Sequence, residues 1–290
     1  LFIMRFVGAP FVFSFQQVGT NCGLIGKNAA VEVDGSAYWM SENGFFRYTG
    51  KLDSLACLVE DYVYDDMNTV PKQHIYAGLN NLFGEVTWFY PGSGAASNNR
   101  SVTYNYMDST PERPVWTTST LARSSWSDSH IFGKPHATEY DSSATSDTTV
   151  GNTDGVTVYY EHETGQDQIK AGTRTGISAS IESGDFDISR TQGGGADLRG
   201  DGEYMMKIRR VLPDFLQQTG DARVTLNLKN YPTDSQASSS LGPFTSTTST
   251  TKIDTRARAR AISLKVDNTS IKQHWKLGTF RLDTQADGRR

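Results

Sequence analysis

The stretch Gly84-Glu-Val-Thr-Trp-Phe-Tyr-Pro91, followed by a polar loop and by Arg100-Ser-Val-Thr-Tyr-Asn-Tyr106, decides the fold. In the second arm, aromatic and β-branched residues alternate with polar ones, and a period of two predicts a strand. The first arm puts Val86, Trp88 and Tyr90 on one face and Phe89 on the other, so we expect both of its faces to contact protein. The two arms predict a looped, aromatic hairpin that is covered by a second sheet.

Strand-like runs of this kind recur at short intervals, and turn residues such as Asp34-Gly35 and Asp154-Gly155 separate them. Asp-Gly is a strong hairpin signal. The predicted strands are Phe2–Val7, Phe11–Gln16, Ala30–Val33, Ala37–Met40, Phe45–Tyr48, Ile75–Leu79, Glu85–Tyr90, Val102–Tyr106, Val115–Thr118, Ala137–Tyr140 and Val156–His162. The run Leu58–Asn68 fits a short helix or a turn. The sequence therefore predicts an all-β protein.

Units of about forty residues repeat this rhythm of three or four short strands, which is typical of β-propeller blades. We therefore predict that residues 1–174 form part of a propeller. The apolar start of the chain, interrupted by Arg5 and Pro10, predicts two strands joined at Gly8-Ala9-Pro10 and not a signal peptide or a membrane span. Because the blades are too few to close a ring, we expect the chain to be the C-terminal part of a longer protein.

Beyond Thr173 the strand-like runs are longer and alternate strictly, as in Glu203–Pro213, Ala222–Pro232 and Ala257–Asp267. Each has small or apolar residues on one face and polar residues on the other, which suits a sheet that is buried on one face. The connecting segments Thr233–Ser240 and Thr245–Thr251 are rich in Ser and Thr. We predict a β-sandwich-like C-terminal domain over residues 175–290.

The net charge of −4 is distributed unevenly along the chain. From Arg199 onward, 16 Lys and Arg stand against 9 Asp and Glu, a net +7, and the preceding residues therefore carry −11. Such asymmetry indicates either two surfaces with different partners or a solvated acidic face. Cys22 and Cys57 do not form a disulfide framework, so the cysteine content favours a reducing compartment.

Few residues of the sequence fit catalytic or metal-binding patterns. The five histidines (His74, His130, His136, His162 and His274) lack metal-ligand spacing, and we predict no metal site and no cofactor. Carboxylates at Glu60-Asp61, Asp65-Asp66 and Asp185/Asp187 keep a propeller glycosidase open as a third hypothesis. The acidic run Asp141–Asp154 lacks the spacing of an EF-hand, and a solvated loop is the preferred interpretation. We predict that the chain is not an enzyme and has no small-molecule substrate.

Four segments carry a resemblance to a known family: Val18-Gly-Thr-Asn-Cys-Gly-Leu-Ile-Gly26, Ala37-Tyr-Trp-Met-Ser-Glu-Asn-Gly-Phe-Phe46, Gly84–Pro91 and Trp275–Arg290. In this order they resemble the tail nozzle, or tail hub, proteins of short-tailed bacteriophages. The resemblance covers most of the chain. It implies a propeller-bearing structural subunit that forms a hexamer with copies of itself, beneath the portal and adaptor and beside the tail fibre proteins. Genome DNA would pass through its lumen without specific binding. The expected location is the virion tail, assembled in the bacterial cytoplasm.

The sequence Arg256-Ala-Arg-Ala-Arg260 predicts three guanidinium groups on one strand face, suited to phosphate or to acidic residues of a neighbouring subunit. We assign a subunit interface to Arg256, Arg258, Arg260, Trp275 and Arg281. The alternative function is a receptor- or glycan-binding propeller of the fibre or adhesin type, with Trp39, Trp88 and Trp126 as candidates for stacking on sugars.

Overall fold

A computed structural model describes residues 1–129, 132–141, 155–170, 172–188, 204–231 and 239–288. The chain forms two compact units, Leu1–Thr164 and Gly165–Arg290. In both, the described residues form mainly antiparallel strands, so the predicted all-β class is confirmed. The predicted domain boundary, between residues 174 and 175, stays a prediction, and it falls within the second unit.

Short strands dominate the first unit because β-branched and aromatic residues alternate over four to seven positions between turns. Its elements are β1 Phe2–Gly8, β2 Val12–Gln17, β3 Ala30–Val33, β4 Ser36–Ser41, β5 Gly44–Tyr48, β6 Leu52–Leu55, α1 Glu60–Asp66, a 3-10 helix Lys72–His74, β7 Tyr76–Asn80, β8 Glu85–Tyr90, β9 Arg100–Asn105, β10 Trp116–Ser119, β11 Ser125–Ser127, β12 His136–Asp141 and β13 Val156–Glu161. Each strand predicted for this part of the chain overlaps one of them, and α1 lies within Leu58–Asn68.

Two strands of the first unit, β6 and β11, were not predicted. Their sequences, Leu52-Asp-Ser-Leu and Ser125-Trp-Ser, are short and mostly polar, so they carry no clear alternation. Each is a strand because its backbone pairs with a neighbour, β5 and β12 respectively. The predicted Asp34-Gly35 turn is confirmed: both residues have positive φ, and Val33 pairs with Ser36 across a two-residue loop.

The strands of the first unit form a hairpin and three consecutive up-and-down sheets. β1 pairs with β2, and the sheets have the orders β3-β4-β5-β6, β7-β8-β9-β10 and β11-β12-β13. Each of these sheets follows the order of the sequence. The first strands of consecutive sheets also contact one another, β3 with β7 and β7 with β11.

The predicted aromatic hairpin is β8–β9, and it lies at the centre of this arrangement. Its Val86, Trp88 and Tyr90 are fully buried in one cluster with apolar residues of the β3–β6 sheet. Phe89, on the opposite face, is equally buried, and its ring lies 5.6 Å from that of Trp126 on β11. The prediction that both faces contact protein is therefore confirmed.

A glycine allows the third sheet to approach the second. A Cβ atom at Gly78 on β7 would lie 2.6 Å from Cγ of Trp126, closer than non-bonded carbons approach. The indole Nε1–H of Trp126 donates to the carbonyl oxygen of Leu79 at 2.7 Å, which satisfies the polar atom of this ring. The close approach therefore depends on the missing side chain at residue 78.

The second unit contains longer strands. Its elements are β14 Asp167–Lys170, β15 Thr173–Gly176, β16 Ala179–Glu182, β17 Met206–Leu212, β18 Phe215–Thr219, β19 Ala222–Lys229, β20 Ser239–Ser246, β21 Ile253–Ala259, β22 Ala261–Asn268, β23 His274–Leu277 and β24 Arg281–Ala286. The sheet orders are β16-β22-β19-β20, β21-β17-β24, β14-β15 and β18-β23. Apolar residues of β17 and β21 share one core with those of β19 and β22.

The run Ala257–Asp267, predicted as one strand, is two strands. β21 ends at Ala259 and pairs with β17, whereas β22 begins at Ala261 and pairs with β19. Arg260 lies between them, and its N–H donates to the carbonyl oxygen of Lys229 at 3.1 Å. The strict alternation predicted for this run is interrupted at the break: the buried apolar residues are the odd-numbered Ala257 and Ala259 in β21 and the even-numbered Ile262 and Val266 in β22.

We expect Trp88→Ala to destabilise the first unit by about 3–5 kcal/mol, because it empties the space of a fully buried indole. It also leaves the carbonyl oxygen of Ala29 without the indole N–H that donates to it at 3.0 Å. The free energy of unfolding would be measured by urea denaturation followed by far-UV circular dichroism. Tyr62→Ala, at an exposed aromatic residue, is the control and should cost less than about 0.5 kcal/mol. Equal losses for the two variants would contradict this prediction.

Candidate interaction surfaces

Three of the four arginines predicted at a subunit interface lie on the exposed face of the β21-β17-β24 sheet. Arg256 and Arg258 alternate with the buried Ala257 and Ala259, so they share the exposed face of β21. Arg281 begins β24 opposite Leu212, and the register places it on the same face of the sheet. This part of the predicted set is brought together by the fold.

Two members of the predicted set lie elsewhere. Arg260 falls at the break between β21 and β22, so the expectation that three guanidinium groups share one strand face is wrong for this residue. Trp275 lies on β23, in the separate two-stranded sheet β18-β23. Its indole N–H donates to Oδ1 of Asn268 at 2.8 Å, and its ring meets Phe215 edge to face, so it has packing partners within the second unit.

Some of the charged side chains on the exposed face form ion pairs within the second unit, and others do not. Arg258 Nε donates to Oδ2 of Asp287 at 2.6 Å, and Arg210 Nε donates to Oδ1 of Asp254 at 3.0 Å. The hydrogen bond from Arg210 lowers the pKa of Asp254. Among the described residues, neither Arg256 nor Arg281 has an ion pair. These two guanidinium groups are therefore available to an acidic partner.

A buried polar cluster, which the sequence did not predict, lies at the third sheet. Arg123 is almost fully buried, and its Nε donates to Nε2 of His162 at 2.9 Å. Its Nη1 lies 3.4 Å from Oε2 of Glu139, and its guanidinium carbon lies 4.0 Å from the centroid of the Tyr160 ring. Burying this charge without such partners would be costly, so the four side chains hold each other in place.

Because His162 accepts a hydrogen bond from Arg123, its imidazole must be neutral. Burial and, to a smaller extent, the charges of Arg123 and His136 together lower the pKa of His162 to about 4. This neutral, partly buried imidazole beside a permanent cation helps to hold β12 and β13 together. No sequence signal marks it, because Arg123 lies in an ordinary Leu-Ala-Arg-Ser-Ser connection.

Two of the carboxylates considered for hydrolysis have structural partners. Asp66, at the end of α1, accepts a hydrogen bond from Nε of Arg100 at 3.0 Å, which connects the helix to β9. Asp185 lies 2.7 Å from Nζ of Lys229. The first pair belongs to the first unit and the second pair to the second unit.

The histidines stay apart from other metal-binding side chains in the part of the chain that the structure describes. His74 contacts the carbonyl oxygen of Ala96 through Nδ1, at 3.0 Å, and His274 is exposed on β23. His130 and most of Asp141–Asp154 lie outside the described residues. Within those described, no group of three or more His, Cys, Asp or Glu could hold a metal ion. None of the described helices has the length and apolar content needed to cross a membrane.

The rings of the tryptophans considered for sugar stacking pack mainly against other residues of the protein. Trp39 and Trp88 are buried, and Trp126 is wedged against Gly78 and Phe89. A different aromatic group is exposed at the third sheet. Phe132 meets His136 edge to face, with ring centroids 4.7 Å apart, and His136 stacks on Tyr159 at 5.4 Å. Phe132 and Tyr159 are each 62% exposed, so this aromatic trio presents ring faces to solvent.

We expect acid to destabilise the first unit through His162. In the unfolded chain its pKa returns to 6.5, so the unfolded state takes up the proton first as the pH falls. The contribution of the neutral imidazole is complete above pH 6.5 and is lost as the pH falls towards 4. His162→Gln, which keeps an acceptor for Arg123, should flatten the pH dependence of the urea midpoint in that window.

The exposed His274→Gln variant is the control for this measurement and should keep the wild-type pH profile. A profile for His162→Gln that is as steep as that of the wild type would show that another group is responsible.

No protein-family model matches this chain, and no curated protein matches it.

Proposed function

We propose that this chain is a structural subunit of a bacteriophage tail, of the nozzle or tail-hub type, which assembles with copies of itself around the DNA-ejection conduit. The observation that carries the proposal is the succession of three up-and-down sheets whose first strands contact one another. Such subunits act by assembly, so their function needs a rigid wall and complementary surfaces rather than a reactive group.

The three sheets fit the blades of a β-propeller. In a propeller, consecutive four-stranded sheets pack face to face around an axis, and the first strand of each blade is nearest the axis. Here the β7–β10 sheet has the β3–β6 sheet on one face and Trp126 of β11 on the other. In the second unit, the shared core of β17, β21, β19 and β22 supports a sandwich-like arrangement.

Two of the four segments that carry the resemblance to tail nozzle proteins, residues 37–46 and 84–91, consist mainly of buried residues. They include Trp39, Phe45 and Trp88 in the core of the first unit. The segment Trp275–Arg290 contributes β23 and β24 to the second unit, and its described residues are partly buried or exposed. In the two buried segments the resemblance concerns how the sheets pack, which is the property that a structural subunit must preserve.

The exposed face of the β21-β17-β24 sheet is the proposed subunit interface, with Arg256 and Arg281 as its available cations. In a cyclic assembly the same face of every copy meets the same neighbouring surface. The acidic residues preceding Arg199 supply a complement of opposite charge. Part of that acidic surface would line the lumen, where negative charge repels DNA phosphates and prevents adhesion during passage.

The proposal is tested by the mass and symmetry of the purified protein, from light scattering and electron microscopy, and by mass spectrometry of purified virions. We expect a closed ring of copies and a constant number of copies in each virion. A stable monomer that is absent from virions would overturn the proposal. A strongly basic channel wall in the assembled ring would refute the electrostatic account of DNA passage.

We expect Arg256→Glu combined with Arg281→Glu to weaken the ring, because both changes reverse charges that have no ion pair among the described residues. The dissociation constant between subunits should rise at least about tenfold, which corresponds to about 1.4 kcal/mol. Lys27→Glu, at an exposed residue of the first unit, is the matched control and should assemble like the wild type. Unchanged assembly of the double variant would remove this face from the interface.

The exposed aromatic trio favours glycan binding as a second candidate function, because sugars stack on exposed ring faces. Screening on a glycan array should then find a ligand, and Tyr159→Ala should weaken its binding at least about tenfold. Tyr62→Ala is the matched control, since Tyr62 is 58% exposed, close to the 62% of Tyr159. If the array shows no ligand, or if Tyr159→Ala binds as well as the wild type, the second candidate fails.

A further inference from the structure

The β1–β2 hairpin exposes a continuous apolar face. In the register Phe2↔Gln17, Met4↔Phe15 and Phe6↔Phe13, alternate residues of both strands lie on one side of the hairpin. We call this side the hairpin face, and its large apolar members are 46–73% exposed. They are Phe2, Met4, Phe6, Phe13 and Phe15. The opposite side carries Arg5, Ser14 and Gln16.

Nothing else among the described strands covers this face. β1 and β2 pair only with each other, and the base of the hairpin is joined to the following segment by the N–H of Val18, which donates to the carbonyl oxygen of Leu1 at 3.0 Å. A two-stranded hairpin is marginally stable alone and needs a partner for its apolar side. The hairpin face is therefore a surface that lacks its counterpart.

The composition of the longer segments outside the described residues offers few apolar side chains that could be a counterpart. Segments 142–154, 189–203 and 232–238 consist mainly of Ser, Thr, Gly and Asp, and their large apolar residues are Val150 and Leu198. Burying amide and hydroxyl groups without hydrogen-bond partners costs free energy, so this composition favours another molecule as the counterpart.

We propose that the hairpin face is covered by the hairpin face of a second copy of this chain. The face carries no charge, so two copies meet without opposing like charges or burying an ion. The ring pair Phe6–Phe13, edge to face at 5.9 Å, forms a ridge against which the rings of the other copy can interdigitate. Because this contact joins identical faces, it relates two copies by a two-fold axis, so it adds to the contacts that close the ring and does not replace them. This inference deepens the proposed function and rests on it, because it names a second surface through which copies associate.

The area of the face suits this occupant. At 150–250 Å² per aromatic side chain, the exposed parts of its five side chains amount to roughly 600 Å². That is as large as the largest apolar patch that typical monomers expose. Two such faces would bury roughly 1,200 Å² in total, which reaches the lower limit of stable protein–protein interfaces.

Charge argues against a membrane as the occupant. Arg5 is the only basic residue of the hairpin, and the chain preceding Arg199 is strongly acidic. Segments that bind anionic lipid surfaces carry several Lys or Arg on the polar side of an amphipathic element. The hairpin has the apolar side of such an element without its basic side.

The test compares the wild-type 290-residue chain with a double variant of the same chain, Phe6→Thr combined with Phe15→Thr, which we call the hairpin variant. Threonine keeps a high strand propensity, and the two sites are not cross-strand partners, so Phe13 remains in place. Val70→Thr combined with Leu216→Thr is the matched control, since these residues are 85% and 64% exposed outside the hairpin. Mass photometry and sedimentation equilibrium would give the stoichiometry and dissociation constant, and far-UV circular dichroism would confirm folding.

We expect the hairpin variant to raise the dissociation constant at least about 100-fold and the control to leave it unchanged. Hydrogen exchange at the amides of residues 2–17 should be slow in the assembled wild type and fast in the hairpin variant. A wild type that forms only pairs, lost in the hairpin variant, would support this inference and contradict the ring. A ring whose stoichiometry and dissociation constant are the same in the hairpin variant as in the wild type would overturn this inference and leave the proposed function standing.

A monomeric wild type would overturn the inference. Flotation with phosphatidylcholine vesicles, with and without phosphatidylserine, identifies the other occupant. If the wild type is monomeric and floats with the vesicles, and the hairpin variant does not float, then the face binds lipid. That result would overturn the proposed contact between copies.

Discussion

The packing of aromatic rings between the β3–β6 and β7–β10 sheets is the constraint on which the first unit depends. Trp88 lies 5.0 Å from Phe45 and 6.1 Å from Trp116, measured between ring centroids, and Trp116 lies 4.8 Å from Tyr104. These rings fill the space between the two sheets, and each sheet needs the other to bury its apolar face. Their indole N–H groups donate to the carbonyl oxygens of Ala29 and Ala56, so burial leaves no indole donor without an acceptor.

Hydrogen bonding of buried polar groups also contributes to the attachment of the third sheet to the second. Its contact with β7 and β8 is made by Trp126, which needs the absent side chain of Gly78. The buried Arg123, with its imidazole, carboxylate and phenol neighbours, holds β12 and β13 of the third sheet together. The amide of Asn98, in the loop of the aromatic hairpin, donates to the carbonyl oxygens of His74 and Arg123. Polar side chains therefore connect sheets at places where apolar packing ends.

The contrast between the buried hairpin β8–β9 and the exposed hairpin β1–β2 bears on assembly. Both have the alternating aromatic residues of a strand that packs against protein, yet only β8–β9 finds its counterpart within the described chain. A protein that acts as one unit of a wall requires surfaces of the second kind, since the free energy of association comes from apolar area that the isolated subunit leaves exposed. The arginines on the exposed face of β21 and β24 add selectivity of orientation, because charges at an interface favour one alignment of partners.

Alternation in the sequence determined the all-β class, the positions of the longer strands and the two-sided burial of the aromatic hairpin, because a period of two is a local property of the backbone. It did not find β6 and β11, which are strands because a neighbour pairs with them. It also treated residues 257–267 as one strand, although the buried apolar residues change phase between Ala259 and Ile262, where the chain changes sheets. The buried Arg123 cluster and the exposure of the β1–β2 hairpin were decided by the tertiary structure alone. Contacts between side chains, and the apolar faces that stay exposed, depend on residues that are distant in the chain. The pattern of a single sequence does not show which distant residues are close in space.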